Sequence, residues 1–352
     1  MPTSKTTAPR RGLPCPPDKV DEFLSEPSAA VIDVLARTAG RILVLGAGGK
    51  MGLHLTLMIR RGLKAAGRDV DSVLAVSRFS TLRDQDEFGQ HGIKTHACDL
   101  SDRAAVTALP DAPTIFFLAG VKFGTASAPD LLHKFNVEMP GIVADRFRRS
   151  RIVAFSTGCV YPFVRPDTGG ATEAMTPEPP GEYAASCLAR EHAFAAVSRE
   201  HGTAVALIRL NYSVEFRYGV LVDIAGKVFR GEPVDVSMGY VNVIWQRDAV
   251  DYTIRALELA GSPPVPVNLT GPHVLSVRTL AHRFGELLER PVKIVGQEAE
   301  TAWLNNASRI HQRFGVPPTA LDDVLIWTAE WVRAGGESWG KPTGFEKRSG
   351  KF

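Results

Sequence analysis

Glycines recur at 46, 49 and 52 in the stretch RILVLGAGGKMG, which runs from Arg41 to Gly52, with a further one at 48. A glycine turn ahead of a helix does one piece of chemistry well. It packs tightly, lets a ligand approach the backbone closely, and presents N–H groups and the positive end of a helix dipole to an anion. A dinucleotide pyrophosphate needs all three. Gly46, Gly48, Gly49, Lys50, Met51 and Gly52 are therefore candidate phosphate contacts, against the plainer reading of a turn between a core strand and a core helix. Ser77 and Arg78, at the end of the next apolar run, form a second candidate pair. NAD-binding domains usually carry an acid there, which holds the ribose hydroxyls. A hydroxyl and a guanidinium suit a 2′-phosphate instead, through charge-assisted bidentate bonds, so NADP is the first expectation and NAD the alternative.

The elements around these residues read as one alternating series. Ile42 to Leu45 is an apolar run short enough for a buried parallel strand. Met51, Leu55, Met58, Ile59 and Leu63 then share one helical face, and Gly67 offers a C-cap. Further strands are predicted over Ser72–Val76, Ile93–Ala97, Thr114–Leu118, Arg151–Phe155 and Val205–Leu210, with helical patterns between them, one around Leu131 to Arg149. Strand and helix alternating in this way predicts an α/β, Rossmann-type doubly wound parallel sheet with a smaller, discontinuous C-terminal lobe. Ligands of such sheets sit beyond the strand C-terminal ends. Asp99-Leu100, Ala119-Gly120-Val121-Lys122, Ser156-Thr157 and Asn211 all stand at such ends.

Residues 1–19, rich in Pro, Thr and basic residues, are expected to be disordered and 20–40 to form a helical extension. A Rossmann domain over 41–211 follows, with a Pro/Gly/Thr-rich loop at 162–182 facing the substrate. Residues 212–335 read mostly as the substrate lobe, with elements returning to the Rossmann domain near 240–271, and 336–352 as a basic tail.

The net charge of +3 over 352 residues, without a dense basic block, argues against nucleic acid as a partner. No window has the apolar length of a membrane span, and the N-terminal stretch lacks the apolar core of a secretory signal. Cys15, Cys98, Cys159 and Cys187 have no metal-ligand spacing, so no metal is expected, and reduced thiols in a cytoplasmic protein are.

Taken in order, the motifs resemble the extended short-chain dehydrogenase/reductases, the NAD-dependent epimerase/dehydratase family, over roughly residues 41 to 335. The Gly46-x-x-Gly49-x-x-Gly52 spacing is similar to that family's own. Asp99-Leu100 resembles its adenine-contacting pair, Asn136 with Val137 and Pro140 its central helix motif, and Ser156-Thr157-Gly158-Cys159-Val160-Tyr161-Pro162 its Ser-Ser/Thr-x-x-Val-Tyr-Gly segment. Pro179 and Tyr183 keep the family's spacing, and Asn268-Leu269 with Ser276 to Leu280 resembles its C-terminal lobe.

The resemblance implies a mechanism. A tyrosine exchanges the proton of a substrate hydroxyl, a Ser or Thr hydroxyl holds the same oxygen, and a lysine four residues after the tyrosine lowers its pKa and bonds the nicotinamide ribose. Tyr183 matches the first role and Thr157 the second, with Ser156 its neighbour. At the lysine position stands Cys187. A thiol cannot supply the missing charge, worth roughly 3 kcal/mol, or about two pKa units, at ~6 Å and an effective dielectric of ~20. Lys122 is the tentative replacement.

Gly158-Cys159 occupy the positions of the dehydratases' Asp-Glu pair, which disfavours elimination of water by that route and leaves oxidation, reduction or epimerisation. Asn211, Tyr212, Arg217 and Trp245, with Tyr218, Asn242 and Gln246, are the expected substrate contacts for a carbohydrate-like ligand. A homodimer is implied by analogy. The expected function is an NAD(P)-dependent oxidoreductase or epimerase on a sugar, nucleotide-sugar or sugar-derived acid. Its rival is a non-catalytic NAD(P)-binding sensor or scaffold.

Overall fold

A computed structural model describes residues 12–80, 82–122, 129–341 and 343–349. Ile42–Leu45 (β1) is buried at every position, as a strand covered on both faces must be. Around it Val73–Ser77 (β2), Lys94–Ala97 (β3), Thr114–Phe117 (β4), Arg151–Thr157 (β5), Val205–Leu210 (β6) and Val265–Leu269 (β7) form a seven-stranded sheet in the order β7-β6-β5-β4-β1-β2-β3. Every pairing in it is parallel. The chain reverses its direction of winding between β1 and β4, and a crevice opens past their C-terminal ends. The register pairs Leu45 with Phe117, and Leu118 N donates to Leu45 O at 2.8 Å, so the residues following both strands face that crevice.

Helices cover both faces. In chain order they include Val20–Leu24 (α1), Ala29–Arg37 (α2), Gly52–Ala65 (α3), Met139–Arg146 (α4), Glu182–His201 (α5) and Val220–Arg230 (α6). Leu55, Met58 and Ile59 of α3 pack on one face of the sheet, and Val143 of α4 and Phe194 of α5 on the other. A separate apolar cluster joins α6 to the helices Val277–Leu288 and Leu321–Arg333, and forms the core of the smaller lobe.

One carboxylate ties the N-terminal extension to both bodies. Asp21 Oδ1 accepts from His54 Nε2 of α3 at 2.7 Å, from Arg217 Nη2 at 2.7 Å and from Arg83 Nη2 at 3.2 Å. Burial opposes its ionisation, but His54 and Arg217 hold it below the usual carboxylate range. Burial also lowers His54 to about 4, so the imidazole is neutral near pH 7. Gln246 Nε2 donates to His54 Nδ1 at 2.5 Å, which leaves the ring proton on Nε2, pointing at Asp21.

Two segments differ from the sequence reading, and the tail takes a course its composition left open. Pro17–Lys19 forms a short 3₁₀ turn inside the stretch expected to lack order, while residues 1–11 lie outside the described ones. The helical pattern from 131 to 149 is a composite: Pro129–Leu132 leads into a π turn at His133–Glu138, and α4 follows. Pro140 has no N–H for the carbonyl of Asn136, and the wider turn lies where that bond is missing. In the tail, Phe345 is 1% exposed and Thr343 donates its N–H and hydroxyl to Asp223 Oδ2, so residues 343–349 pack on the smaller lobe.

Candidate active site

The glycine turn fits its strand only because two side chains are missing. Gly46 has φ +84°, and a Cβ there would sit 2.5 Å from Ala119 N. A Cβ on Gly52 would lie 2.1 Å from Ala47 O, so α3 starts directly against the end of β1. Between them Lys50 leaves the turn sideways, and its Nζ stands 3.1 Å from the centroid of the Tyr218 ring.

The loop after β4 is delivered by the π turn. Asn136 Oδ1 accepts from Val121 N and its Nδ2 donates to Val121 O, both at 2.9 Å. Its Nδ2 also donates to Ser186 Oγ at 2.9 Å. This pins Gly120 to Lys122 against the start of α5. There Tyr183, Cys187 and Arg190 share one face, at the i, i+4, i+7 spacing of a helix. Arg190 donates to Phe155 O at 3.0 Å and to Asn136 Oδ1 at 2.7 Å, and a Cβ on Gly120 would come within 2.1 Å of its Nη2. Sequence reasoning passed over Arg190, although its helical spacing from Tyr183 marks it.

Ser156 and Thr157 end β5 and divide the work. Ser156 Oγ donates to Glu191 Oε1 at 2.5 Å, and Arg209 binds both oxygens of Glu191 at 3.0 and 2.7 Å. Arg209 also donates to Tyr161 OH at 2.6 Å, which donates to Asn268 Oδ1 at 3.0 Å. This buried network fixes Ser156 and leaves Thr157 facing the cavity, its Oγ1 accepting from Cys159 N at 3.2 Å.

Electrostatically the site departs from a ready proton-transfer centre. Burial first, and then the nearby thiols of Cys187 and Cys159, push the Tyr183 phenol well above its usual range, and Tyr183 and Cys187 are hydrogen-bonded to each other. Burial also raises both thiols, which are therefore neutral near pH 7. Lys122 Nζ lies 5.6 Å from the Tyr183 ring centroid and feels both cysteines; burial lowers its pKa.

A cavity of about 370 Å³ gathers much of the expected site. Gly46, Gly49, Lys50, Met51, Gly52, Gly120, Lys122, Ser156, Thr157, Tyr183, Asn211 and Tyr212 line it, with Tyr218, Gln246 and Thr343. Asn211 is held by Asn242 Oδ1 at 2.8 Å and Trp303 O at 3.2 Å. Tyr212 has φ +44°, a strained conformation costing about 1–3 kcal/mol in a non-glycine residue.

Other expected residues lie elsewhere. Cys187 is buried beneath Tyr183, and Gly48 packs where a Cβ would meet Ser77 Oγ at 2.9 Å. Ser77 ends β2, and Arg78, Asp99, Leu100 and Ala119 follow their strands, all outside this cavity; Arg78 is exposed and rests 4.9 Å from the Phe135 ring centroid. Two expected substrate contacts turn inward. Trp245 is 3% exposed and packs edge-on against Phe216 within the core of the smaller lobe. Arg217 pairs with Glu215 and Asp21. A larger groove, about 590 Å³, lies at the opposite end of the strands beside Pro113 and Ser150, away from every residue above.

Fold and site together define a Rossmann-type protein in which a glycine turn at a helix N-terminus and a hydroxyl-bearing face line one cavity. The chain belongs to the NAD dependent epimerase/dehydratase family, whose model matches residues 42–225. Among solved structures it is similar to the UDP-glucose 4-epimerase of Thermus thermophilus in complex with NAD, at 19% identity and TM-score 0.68, over 83% of this chain and 99% of that one. It is also similar to the UDP-glucuronic acid 4-epimerase of Bacillus cereus with NAD, at 16% identity and TM-score 0.69, over 84% and 99%. Pal from Bacillus thuringiensis matches at 18% identity and TM-score 0.69, over 84% and 99%. No curated protein matches the chain.

Proposed function

We propose that this protein is an NAD(P)-dependent oxidoreductase or epimerase that acts on a hydroxyl or keto carbon of a sugar, nucleotide-sugar or sugar-derived acid. One observation carries the reading: Tyr183 and Thr157 open into the same cavity as the glycine turn. The donor set fits a dinucleotide, since turn amides and the N-terminus of α3 suit a pyrophosphate. The residues that would hold it are Gly46, Gly49, Lys50, Met51 and Gly52 at the phosphates, Ser77, Arg78, Asp99 and Leu100 at the adenosine, and Gly120 and Tyr183 at the nicotinamide. When bound, the cofactor supplies the hydride acceptor or donor. Thr157 orients the substrate oxygen and Tyr183 moves its proton.

NADP is preferred over NAD in this reading, because Arg78 stands exposed at the end of β2 where an acid would serve ribose hydroxyls. The two similar solved epimerases are complexes with NAD, which keeps NAD as the alternative. The protein pairs as a homodimer through α4 and α5, by analogy with the family. Sedimentation at micromolar concentration tests this, and a monomer there removes it. Nicotinamide fluorescence titrated with the purified protein tests the cofactor site, and no saturable binding of either dinucleotide sinks the proposal.

A second reading is favoured by the phenol itself. Tyr183 is pushed well above its usual range, first by burial, with Cys187 where a lysine would help. A cofactor-binding sensor or scaffold needs no phenolate. Turnover that depends on Tyr183 decides between the two.

A further inference from the structure

The last described residues return to the cavity. Thr343 donates its N–H at 2.7 Å and its hydroxyl at 2.6 Å to Asp223 Oδ2, in the first turn of α6, and it lines the cavity. Its hydroxyl keeps lone pairs for a further hydrogen bond. Phe345 is 1% exposed and sits in the core of the smaller lobe. Arg348 then donates to Thr301 O and, at 2.9 Å, to Thr301 Oγ1, and its Cζ stands 4.2 Å from the Phe163 ring centroid. Residues 343–349 therefore bridge the two segments that flank the cavity. One is the start of α6, which lines it with Tyr218 to Val220, and the other is the loop between β5 and α5, which lines it with Cys159. Just ahead, Trp339 N donates to Arg217 O at 3.1 Å, and its ring stacks on Tyr218 with centroids 5.8 Å apart. That is the ring Lys50 approaches from the glycine turn. Holding a tail in one path costs conformational entropy, and a buried ring, a guanidinium and a doubly bonded carboxylate offset it here.

We infer that residues 343–349 are a wall of the active site: they close the substrate end of the cavity, set Thr343 against the substrate, and size the site for an unlinked sugar or sugar acid rather than a nucleotide-sugar. The inference rests on the reading of this cavity as the cofactor and substrate cleft, and narrows the substrate class of that site. The cavity holds about 370 Å³, near the small end of ligand pockets, which run from about 300 to about 1,000 Å³. In that reading the nicotinamide and its ribose share this volume with the substrate. The reacting carbon lies at Tyr183 and Thr157, and the cofactor phosphates lie at the glycine turn, so a group linked to the sugar has only the smaller-lobe side left to it. There the lining includes Tyr212, Tyr218 and Thr343. A nucleotide would have to lift the strap from Asp223 and Thr301, and a monosaccharide would not.

Calorimetry on the full chain loaded with NADP or NAD tests this with matched probes: glucose, galactose, glucuronate and galacturonate, each against its UDP-linked counterpart. At least one unlinked member is expected to bind, and its UDP counterpart at least about tenfold more weakly. Thr343→Val combined with Arg348→Met removes two anchors of the strap without touching the glycine turn or Tyr183. It should weaken the unlinked sugar by about tenfold, narrow the margin against the UDP-sugar to within about threefold, and leave dinucleotide affinity within about twofold. Either substitution alone should move both affinities the same way by a smaller factor, so the test holds even if the double variant fails to fold. Thr343→Ser in place of Thr343→Val should recover much of the loss. A UDP-sugar bound as tightly as its unlinked partner, or no binding of any probe, overturns the inference. So does a margin left unchanged in the strap variants, because the strap would then support the fold and not the site. A wild-type protein that binds no dinucleotide would instead bring down the cofactor reading beneath it.

Discussion

The two ends of the cleft handle charge in opposite ways. At the end proposed for the adenosine, Arg78 is exposed at the tip of β2, and Asp99 holds its charge through Ser101, whose N–H and hydroxyl donate at 2.9 and 2.7 Å. Water and local donors satisfy these groups, and a substitution there touches little else. At the end proposed for the nicotinamide, burial is the largest influence on Lys50, Lys122, Tyr183 and the thiols of Cys159 and Cys187. Each charge there is coupled to its neighbours. In the proposed function the exposed end sets which dinucleotide is taken, while the buried end decides whether chemistry follows.

The comparison predicts large effects at the buried end. Tyr183→Phe should lower turnover by about 10²–10⁴-fold while leaving dinucleotide affinity within about twofold, since only a hydroxyl is removed. Steady-state kinetics with a fluorescence titration checks both halves. Retained activity would move the proton-transfer group elsewhere, with Lys122 the next candidate. Beneath it, Arg209→Met leaves Glu191 buried without its cation and should destabilise the fold by about 3–5 kcal/mol in urea denaturation. A loss below about 1 kcal/mol would show that water reaches the pair. Removing both charges together should cost less than removing one.

Cys187→Lys sharpens the contrast next. It returns a cation one helical turn from the phenol, so the rise of activity with pH should move about two units toward neutrality, worth about 3 kcal/mol. An unchanged profile would mean that Lys122 already supplies the charge. Lys50 gives a quieter signal. Its pKa stands at about 7, with Lys122, Lys341, Asp223 and the Tyr218 ring around it. A bound anion raises it, so at about pH 7.5 binding should take up a fraction of a proton, read by calorimetry in buffers of different ionisation enthalpy. The smallest effect belongs to the exposed end. Arg78→Ala should weaken NADP binding by about tenfold and leave NAD binding unchanged.

The contrast also marks what was legible in the sequence. Ile42–Leu45 and the glycines after it could be read because burial on both faces and a crowded turn restrict residue type strongly. The π turn at His133–Glu138 could not, because its cause is one missing donor at Pro140 inside an otherwise helical pattern. Trp245 and Tyr218 are both aromatic residues of the smaller lobe, yet one lies in its core and the other under Lys50. Residue type does not distinguish those fates. Nor does the basic composition of the tail show that Phe345 is buried and Thr343 reaches the cavity, since both depend on partners far away in the chain.

The central claim is that Tyr183 transfers a proton in a cleft that also holds the dinucleotide. It is tested most directly by the pH dependence of turnover, followed through nicotinamide absorbance from about pH 6 to about pH 10 with whichever sugar, nucleotide-sugar or sugar-derived acid a screen shows to be turned over. Tyr183 is raised above the ordinary phenol range, so the phenolate grows only as pH rises. Activity in the oxidative direction should climb steadily toward the alkaline limit in the wild type, and the climb should vanish in Tyr183→Phe. A profile that is flat, or is unchanged by that substitution, would contradict the account.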